Sequence, residues 1–301
     1  MSVEPVISVI IVNFNGGHLL TKCVDSVLAS TIPVRIHVVD NASLDNSLHS
    51  LIKAINNDKR VQIIKNTENV GFAKAANFAL PYTTGDYLLF LNPDCLIRPD
   101  TLARFINIME KYPQAGMAGC LVRNPDGSEQ AGCRRSVPTP WRTLVRVCHL
   151  DKLFPHSKHI QNFVVVNKPL PKQPIEIEGI SGACMFVRRI ALDIVGPMDE
   201  TYFLHCEDLD WFMRFHALKW RILFIPDIEI VHIKGGCSRG QPLRVLWYKH
   251  RGMVRFYRKF FRHQYPRILF WSVILAVWMR FALLSIVTLI FPNEKNENNE
   301  K

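Results

Sequence analysis

Short apolar runs alternate with amphipathic stretches along the first third of the chain. Val6 to Val12, Val34 to Val39, Val61 to Lys65 and Tyr87 to Leu91 are β-branched or aliphatic, and turn residues close each one. Runs of this length bounded by Asn, Asp and Gly predict buried strands. Between them, Leu19 to Ala29, a stretch capped by Asp45 that ends near Ile55, one from Gly71 to about Leu80, and Asp100 to Lys111 predict helices. Strands alternating with helices of this length imply βαβ units on a mostly parallel sheet. The fold class expected is α/β.

The fourth strand stops abruptly at Asn92-Pro93-Asp94. Pro93 cannot continue a ladder, so the chain turns there and delivers Asp94 at the strand's carboxyl end. Ligands of open α/β sheets sit at that edge. An acid placed there can hold a divalent cation, which in turn holds a diphosphate. The competing reading is a turn that only leads into the helix opening at Asp100-Thr101.

After Ala115 the pattern loosens. Gly116 to Arg123 predicts a further strand, and Asn124-Pro125-Asp126-Gly127 a turn into a polar hairpin. Residues 133–174, rich in Pro, His and basic residues, give no firm element; such a stretch often forms a lid or a substrate-facing loop. Ile177 to Val187 predicts a strand in which Gly182 and Ala183 leave room for close backbone approach, and Ile190 to Val195 a short helix. Acids then cluster around Glu207-Asp208, next to an aromatic stretch. Asp208 is placed to open a helix whose later face carries Trp211, Phe212, Phe215 and Leu218. Acids in a first helical turn also complement the helix dipole with no further role. Trp220 to Ile225 and Ile228 to Val231 predict two short strands, followed by His232 and then Gly235-Gly236. A lone His after a strand is more often structural than a ligand. Loops at Asn13, Asp40, Asn69, Asp94 and His232 all follow strands, and so can converge on one sheet edge.

Charge is distributed unevenly. Of 37 Lys and Arg residues, eleven lie between Ile230 and Asn293, where there is no Asp or Glu, and the remaining 26 balance the 26 acids. A basic run directly before an apolar helix favours an anionic membrane surface over nucleic acid as partner. Ile268 to Phe291 is 24 residues, apolar except for Ser272, Arg280, Ser285 and Thr288. Length and hydropathy favour a spanning or deeply inserted helix over a soluble core helix. Arg280 near its middle argues instead for an interfacial or partner-packed one. Eight scattered cysteines without a CxxC pair suggest reduced thiols. The chain opens almost at once on a strand, so no signal peptide is expected. The organisation expected is a catalytic domain over 1–236, a basic membrane-proximal segment over 237–267, a membrane helix over 268–291 and a polar tail over 292–301.

Six segments, in this order, carry a family resemblance: ISVIIVNFNG, VVDNASLDNS, NVGFAKAANFAL, YLLFLNPDC, GACMFVRR and FLHCEDLDWFMR. Together they resemble the inverting glycosyltransferases of family 2, and LNPD in place of a stricter Asp-x-Asp is most similar to the rhamnosyltransferase-type branch. The resemblance covers about Val6 to Gly236. It implies a GT-A fold, a nucleotide-diphosphate sugar donor, with dTDP-rhamnose as one candidate, and Mg2+ or Mn2+. It also implies a lipid-linked or cell-surface glycan as acceptor, at the cytoplasmic face of the inner or plasma membrane. Carried over residue by residue, Asn13, Asp40, Asn69, Gly71, Asn92 and Asp94 line the donor site, with Asp40 on the nucleobase. Asp94 and His232 are the metal ligands, and Asp208, paired with Glu207, is the catalytic base. Two positions depart from the pattern. Asn92 replaces the first acid of Asp-x-Asp, and Ala75 stands where relatives usually have glycine.

Single displacement fits these residues. A base takes the proton of an acceptor hydroxyl as that oxygen attacks the anomeric carbon, and the apolar wall of Phe203, Trp211 and Phe212 is expected to raise the pKa of Asp208. A nucleotidyltransferase is disfavoured, because Asn13 to Gly17 carries no basic residue. A catalytically silent membrane-bound binding protein is favoured by Asn92 and disfavoured by the intact Glu207-Asp208 pair.

Overall fold

The computed structural model describes residues 7–147, 169–233 and 242–290. Gly235, Gly236, the polar tail over 292–301 and residues 148–168 of the unpatterned stretch lie outside these. As far as their described residues go, two units form: Met1–Val137, Phe163–Phe203 and Glu207–Cys237 in the first, and Pro138–Asn162, Leu204–Cys206 and Ser238–Lys301 in the second.

The first unit is built on the predicted alternation. Strands β1 (Ile7–Asn13), β2 (Val34–Asp40), β3 (Val61–Lys65) and β4 (Tyr87–Leu91) pair in parallel in the order β3-β2-β1-β4. Helices α1 (Gly17–Leu28), α2 (Ser47–Ile55) and α3 (Phe72–Ala79) connect them, and α4 (Thr101–Lys111) follows β4. Every residue of β1 and β4 is buried, as covering both faces of a parallel sheet requires. Beyond β4 the nine-stranded sheet runs on through β10 (Cys184–Arg188), β6 (Ala115–Arg123), β11 (Arg221–His232) and β5 (Cys95–Leu96), with β8 (Ile175–Glu176) paired to β11. A separate ribbon joins β7 (Arg134–Arg135) to β9 (Gly179–Ile180). Because β10 is antiparallel to both β4 and β6, and β11 is parallel to β6, the strands β6 and β11 point the same way as β1 to β4. Asn13, Asp40, Asp94, His232 and the loop after β3 therefore reach one edge.

Four local expectations need correction. Ile177 to Val187 is two strands, because the chain turns at Ser181–Ala183 and β9 leaves the large sheet to pair with β7. Trp220 to Ile225 and Ile228 to Val231 are one strand; its register on β6 jumps between Ile225 and Glu229, where Pro226 has no N–H to give the ladder. Leu218 lies past the end of α7 (Glu207–Ala217) and is 49% exposed, while Trp211, Phe212 and Phe215 lie within it and are buried. Asp45 does not occupy the N-cap of α2, which is Asn46, although its Oδ1 takes the Ser47 N–H at 3.1 Å. Helix α6 (Arg189–Val195) forms where predicted.

The second unit is helical. It contains α5 (Pro140–Val147), α8 (Pro242–Phe260) and α9 (Arg267–Ile290), with the Thr143 and Tyr257 hydroxyls 2.6 Å apart. The basic segment expected over 237–267 thus holds a 19-residue helix that its charge had masked. Among the described residues, α9 is the one helix long and apolar enough to cross a membrane.

Candidate active site

Three groups of polar side chains stand along the edge of the first unit. At the ends of β1 and β2, Asn13 Nδ2 lies 2.7 Å from Asp40 Oδ1 and 2.9 Å from the hydroxyls of both Ser43 and Ser47. Asp40 Oδ2 accepts the Ser43 N–H at 3.2 Å. Next to them, the buried Asn41 amide donates to Asn69 Oδ1 (2.9 Å) and Gly71 O (3.2 Å), and accepts from Asn66 Nδ2 and the Val70 N–H, both at 3.1 Å. Asn41 saturates its hydrogen bonding and fixes the loop that carries Asn69 and Gly71; it was not singled out from the sequence. Gly71 has φ +87°, and a Cβ there would stand 2.4 Å from Phe203 O, so only glycine allows this loop to lie against the backbone leading to α7.

The second group lies where β4 ends and β5 pairs with β11. Asp94 and His232 are buried, and His232 Nε2 faces Asp94 Oδ1 at 3.0 Å. On the other side of the ring, Nδ1 is 2.6 Å from Gln130 Oε1. The Gln130 amide cannot turn round, because its Nε2 donates to Asn124 Oδ1 (2.8 Å) and to His232 O (3.3 Å). Oε1 therefore faces the ring and Nδ1 carries a proton, so Nε2 is the ring atom turned to the Asp94 carboxylate. At that distance a proton or a cation fits between the two atoms. Fixing the far nitrogen of a histidine in this way is how ligating imidazoles are oriented.

One ligand atom each from Asp94, Cys95 and His232 falls within 4.8 Å of the others, so the donors suit a small divalent cation. The Cys95 thiol is a poor third ligand: burial pushes its pKa well up, and Sγ donates to Ala183 O at 3.5 Å. Asn92 bonds through its backbone N–H to Ala183 O (2.9 Å), and its half-buried side chain makes no hydrogen bond among the described residues.

The third group opens α7. Trp211 anchors this helix, edge-on to Phe90 at 5.1 Å and to Phe215 at 5.4 Å, with its indole N–H on Gly196 O (2.9 Å). Asp210 has a structural part: it holds Arg214, whose guanidinium also donates to the carbonyls of Val195 and Pro197. Asp208 points the other way. It pairs with Arg135, whose Nε donates to Ile180 O (3.1 Å) and whose guanidinium lies 5.7 Å from the centre of the Phe212 ring. A Cβ on Gly182 would come within 2.9 Å of Asp208 Oδ2, so this glycine makes room for a carboxylate and not, as expected, for backbone.

The carboxyl on which burial acts is Glu207. Burial first, and then the charge of Asp208, push Glu207 up to about 8, and its buried Oε2 has no hydrogen-bond partner among the described residues. Arg135 and Gln130 were both missed by the sequence reading. The twin arginine after Cys133 and the hairpin turn at Asn124–Gly127 were the available signals.

A mixed sheet of this order, with acids and amides gathered at the carboxyl edge, defines a GT-A glycosyltransferase. The chain belongs to the family described as Glycosyl transferase family 2, whose model matches residues 8–192. Relatives include the N-acetylglucosaminyl-diphospho-decaprenol L-rhamnosyltransferase of Mycobacterium tuberculosis, 26% identical over 83% of this chain and 83% of its own length. The rhamnosyltransferase WbbL of Escherichia coli K12 is 27% identical over 54% of this chain and 60% of its own. Among solved structures, the mannosyltransferase PcManGT of Pyrobaculum calidifontis, in complex with GDP-Man and Mn2+, shares the fold with a TM-score of 0.59 at 18% identity. That alignment covers 93% of this chain and 70% of the other.

Proposed function

We propose that this glycosyltransferase is membrane-attached and inverting, moving rhamnose from a nucleotide-diphosphate donor, dTDP-rhamnose, to a hydroxyl of a lipid-linked glycan. Its place is the cytoplasmic face of the inner or plasma membrane. The sugar rests on the names of the two rhamnosyltransferase relatives, and the lipid-linked acceptor on the name of the mycobacterial one, which aligns over most of this chain. The observation that carries the mechanism is the buried pair Asp94 and His232, facing each other at 3.0 Å on the edge that also bears Asp40 and Asp208. In this reading Asn13, Asp40, Asn69 and Gly71 form the nucleotide side, Asn92 and Asp94 the diphosphate side, and Asp94 and His232 hold Mg2+ or Mn2+. A cation bound there neutralises the charge that grows on the leaving diphosphate.

Asp208 takes the acceptor's hydroxyl proton as that oxygen bonds to the anomeric carbon. The bond from that carbon to the diphosphate oxygen breaks, the nucleoside diphosphate leaves with the bonding pair, and configuration inverts. Arg135 supports this step by orienting the Asp208 carboxylate. No covalent sugar–enzyme intermediate is needed.

The test is a screen of nucleotide sugars on the purified full chain with a lipid-linked acceptor, in chelator and with Mg2+ or Mn2+ restored. Cation-dependent transfer of rhamnose, with an inverted anomeric centre by NMR, is expected. Turnover of another sugar overturns the donor, full rate in chelator overturns the cation site, and retained configuration overturns Asp208 as base.

A further inference from the structure

The second unit carries a surface that the transfer chemistry does not use. Between Phe270 and Val277 helix α9 buries one side, with Phe270, Val273, Ile274 and Val277 at helical spacing, and from Trp278 to Ile290 no residue is buried. On its other side Ile268, Trp271, Leu275, Met279, Leu283 and Ile286 are all more than half exposed. These six recur every three or four residues and so form one apolar stripe along the helix, with no charge in it.

The buried side packs on α5 and α8. Trp247 of α8 meets Trp278 and Phe281 of α9 at 5.3 and 5.5 Å between ring centres, and Arg258 lies 6.0 Å from the ring of Trp271. Low numbers on one helix thus meet high numbers on the other, so the two run antiparallel side by side from about Trp271 to Phe281. Arg280 is part of this contact. Its Nη1 lies 3.2 Å from His250 Nε2, and His250 Nδ1 is 2.8 Å from Leu246 O. Nδ1 must carry the proton given to that carbonyl, which leaves Nε2 to accept from the guanidinium. Burial, which lowers the His250 pKa, favours the neutral ring that this requires.

This packing bears on whether α9 crosses the bilayer. Its 24 residues span roughly 36 Å, enough for the hydrocarbon core. Were it upright, the middle of α9 would sit at the bilayer midplane and bring the flanking stretch of α8 with it. That stretch exposes Lys249, Arg251, Arg255 and Arg258. Charges at that depth are costly, and four on one helix cannot all reach a headgroup layer. Laid flat, α9 sinks its apolar stripe among the acyl chains while the basic ridge of α8 stays at headgroup level. Arg258 beside the half-exposed Trp271 is where ridge and stripe adjoin.

We propose that α8 and α9 form an in-plane anchor for an anionic phospholipid surface, with α9 lying in the interface and not spanning the membrane. This rests on the membrane attachment proposed above. Such an anchor combines two attractions, buried apolar area from α9 and salt-sensitive charge from α8.

The test uses the full chain made in bacterial cells with an epitope at each end. Protease is added to spheroplasts and, separately, to inverted inner-membrane vesicles. An in-plane α9 leaves both epitopes on the cytoplasmic face, so both survive in spheroplasts and both are lost in inverted vesicles. Loss of the C-terminal epitope in spheroplasts, with its survival in inverted vesicles, overturns the proposal. Flotation of the same vesicles after a high-salt wash tests the underlying reading separately. Chain that stays at the bottom of the gradient even before the wash refutes membrane attachment itself, whatever the protease pattern. As a second measure of the stripe, Leu275→Glu together with Leu283→Glu is expected to release the chain from salt-washed vesicles by tenfold or more. Unchanged flotation of that variant also overturns the proposal.

Discussion

The cation corner and the base corner stand on the same sheet edge and are built in opposite ways. Asp94 and His232 come from strand ends, and the Gln130 amide, locked at both of its atoms, fixes the His232 ring from the side away from Asp94. In the proposed reading the gap between Asp94 and Nε2 takes one small cation. Glu207 and Asp208 open a helix. One of them is held by Arg135, and the other has a buried oxygen with no hydrogen-bond partner among the described residues and a pKa pushed up to about 8. A rigidly held pair suits a charge that stays in place. Two adjacent carboxyls in unlike environments suit a proton that must move. In the proposed reading the two corners divide the work between holding the diphosphate and receiving the hydroxyl proton.

The largest effect expected separates the corners outright. Asp208→Asn keeps the shape of the base corner and removes its proton acceptor. Transfer should fall by ~10² or more while donor binding stays close to wild type. Kinetics with saturating donor, alongside calorimetric donor binding, read both quantities. A near-normal rate in Asp208→Asn together with a collapse in Glu207→Gln would reverse the roles of the pair.

The second prediction concerns stability. Glu207 has a folded pKa near 8 against an ordinary value of 4.5. Between those values the folded chain keeps a proton that the unfolded chain has released. Stability should therefore fall as pH rises from about 4.5 to about 8 and level off above, with a slope of up to about 1.4 kcal/mol per pH unit. Glu207→Gln stays neutral throughout, so its Tm relative to wild type should climb across that window and then plateau. A Tm difference that does not change with pH shows that the oxygen is not protonated in the fold.

Gln130 tests the cation corner without touching a ligand. Gln130→Ala frees the far side of the His232 ring, so Nε2 is no longer held toward Asp94. Loss of such an orienting partner typically costs about 10–100-fold in metal affinity or activity. The Mn2+ concentration for half-maximal transfer should rise by that factor, and saturating Mn2+ should restore most of the rate. A variant with an unchanged Mn2+ response would return His232 to a purely structural part.

The two corners also differ in how much of them the chain discloses. Asp94 and His232 are legible because strands with obvious apolar patterns deliver them, and Pro93 marks where one strand must stop. Asp40 and Asn13 are legible for the same reason. Gln130 and Arg135 are not, because one arrives from a hairpin held by a single bridge and the other from a two-residue strand paired with a segment some 45 residues on, and neither leaves a local periodicity. The Glu207-Asp208 pair is visible as a motif, but its electrostatics are not: burial falls on one member and an arginine 73 residues away meets the other. Helix α8 escaped notice because its apolar positions are interleaved with charge, and its buried side becomes apparent only against α9.

Cys95 is the smallest test and concerns the boundary of the cation corner. It stands one residue from Asp94 and opposite His232 in the β5–β11 ladder, near enough to count as a third ligand by distance alone. Its chemistry argues the other way. A thiol binds a divalent cation as thiolate, and full burial, with the Asp94 charge beside it, makes that form hard to reach. Its Sγ already donates to Ala183 O, so the proton has a use where it is. Hard cations such as Mg2+ and Mn2+ also favour oxygen and imidazole over sulfur. Cys95→Ala should therefore cost about 1 kcal/mol of stability through lost packing and leave the Mn2+ response within about threefold of wild type. A larger rise in the half-maximal Mn2+ concentration, at unchanged donor affinity in saturating Mn2+, would make the sulfur a ligand and extend the rigid corner by one residue.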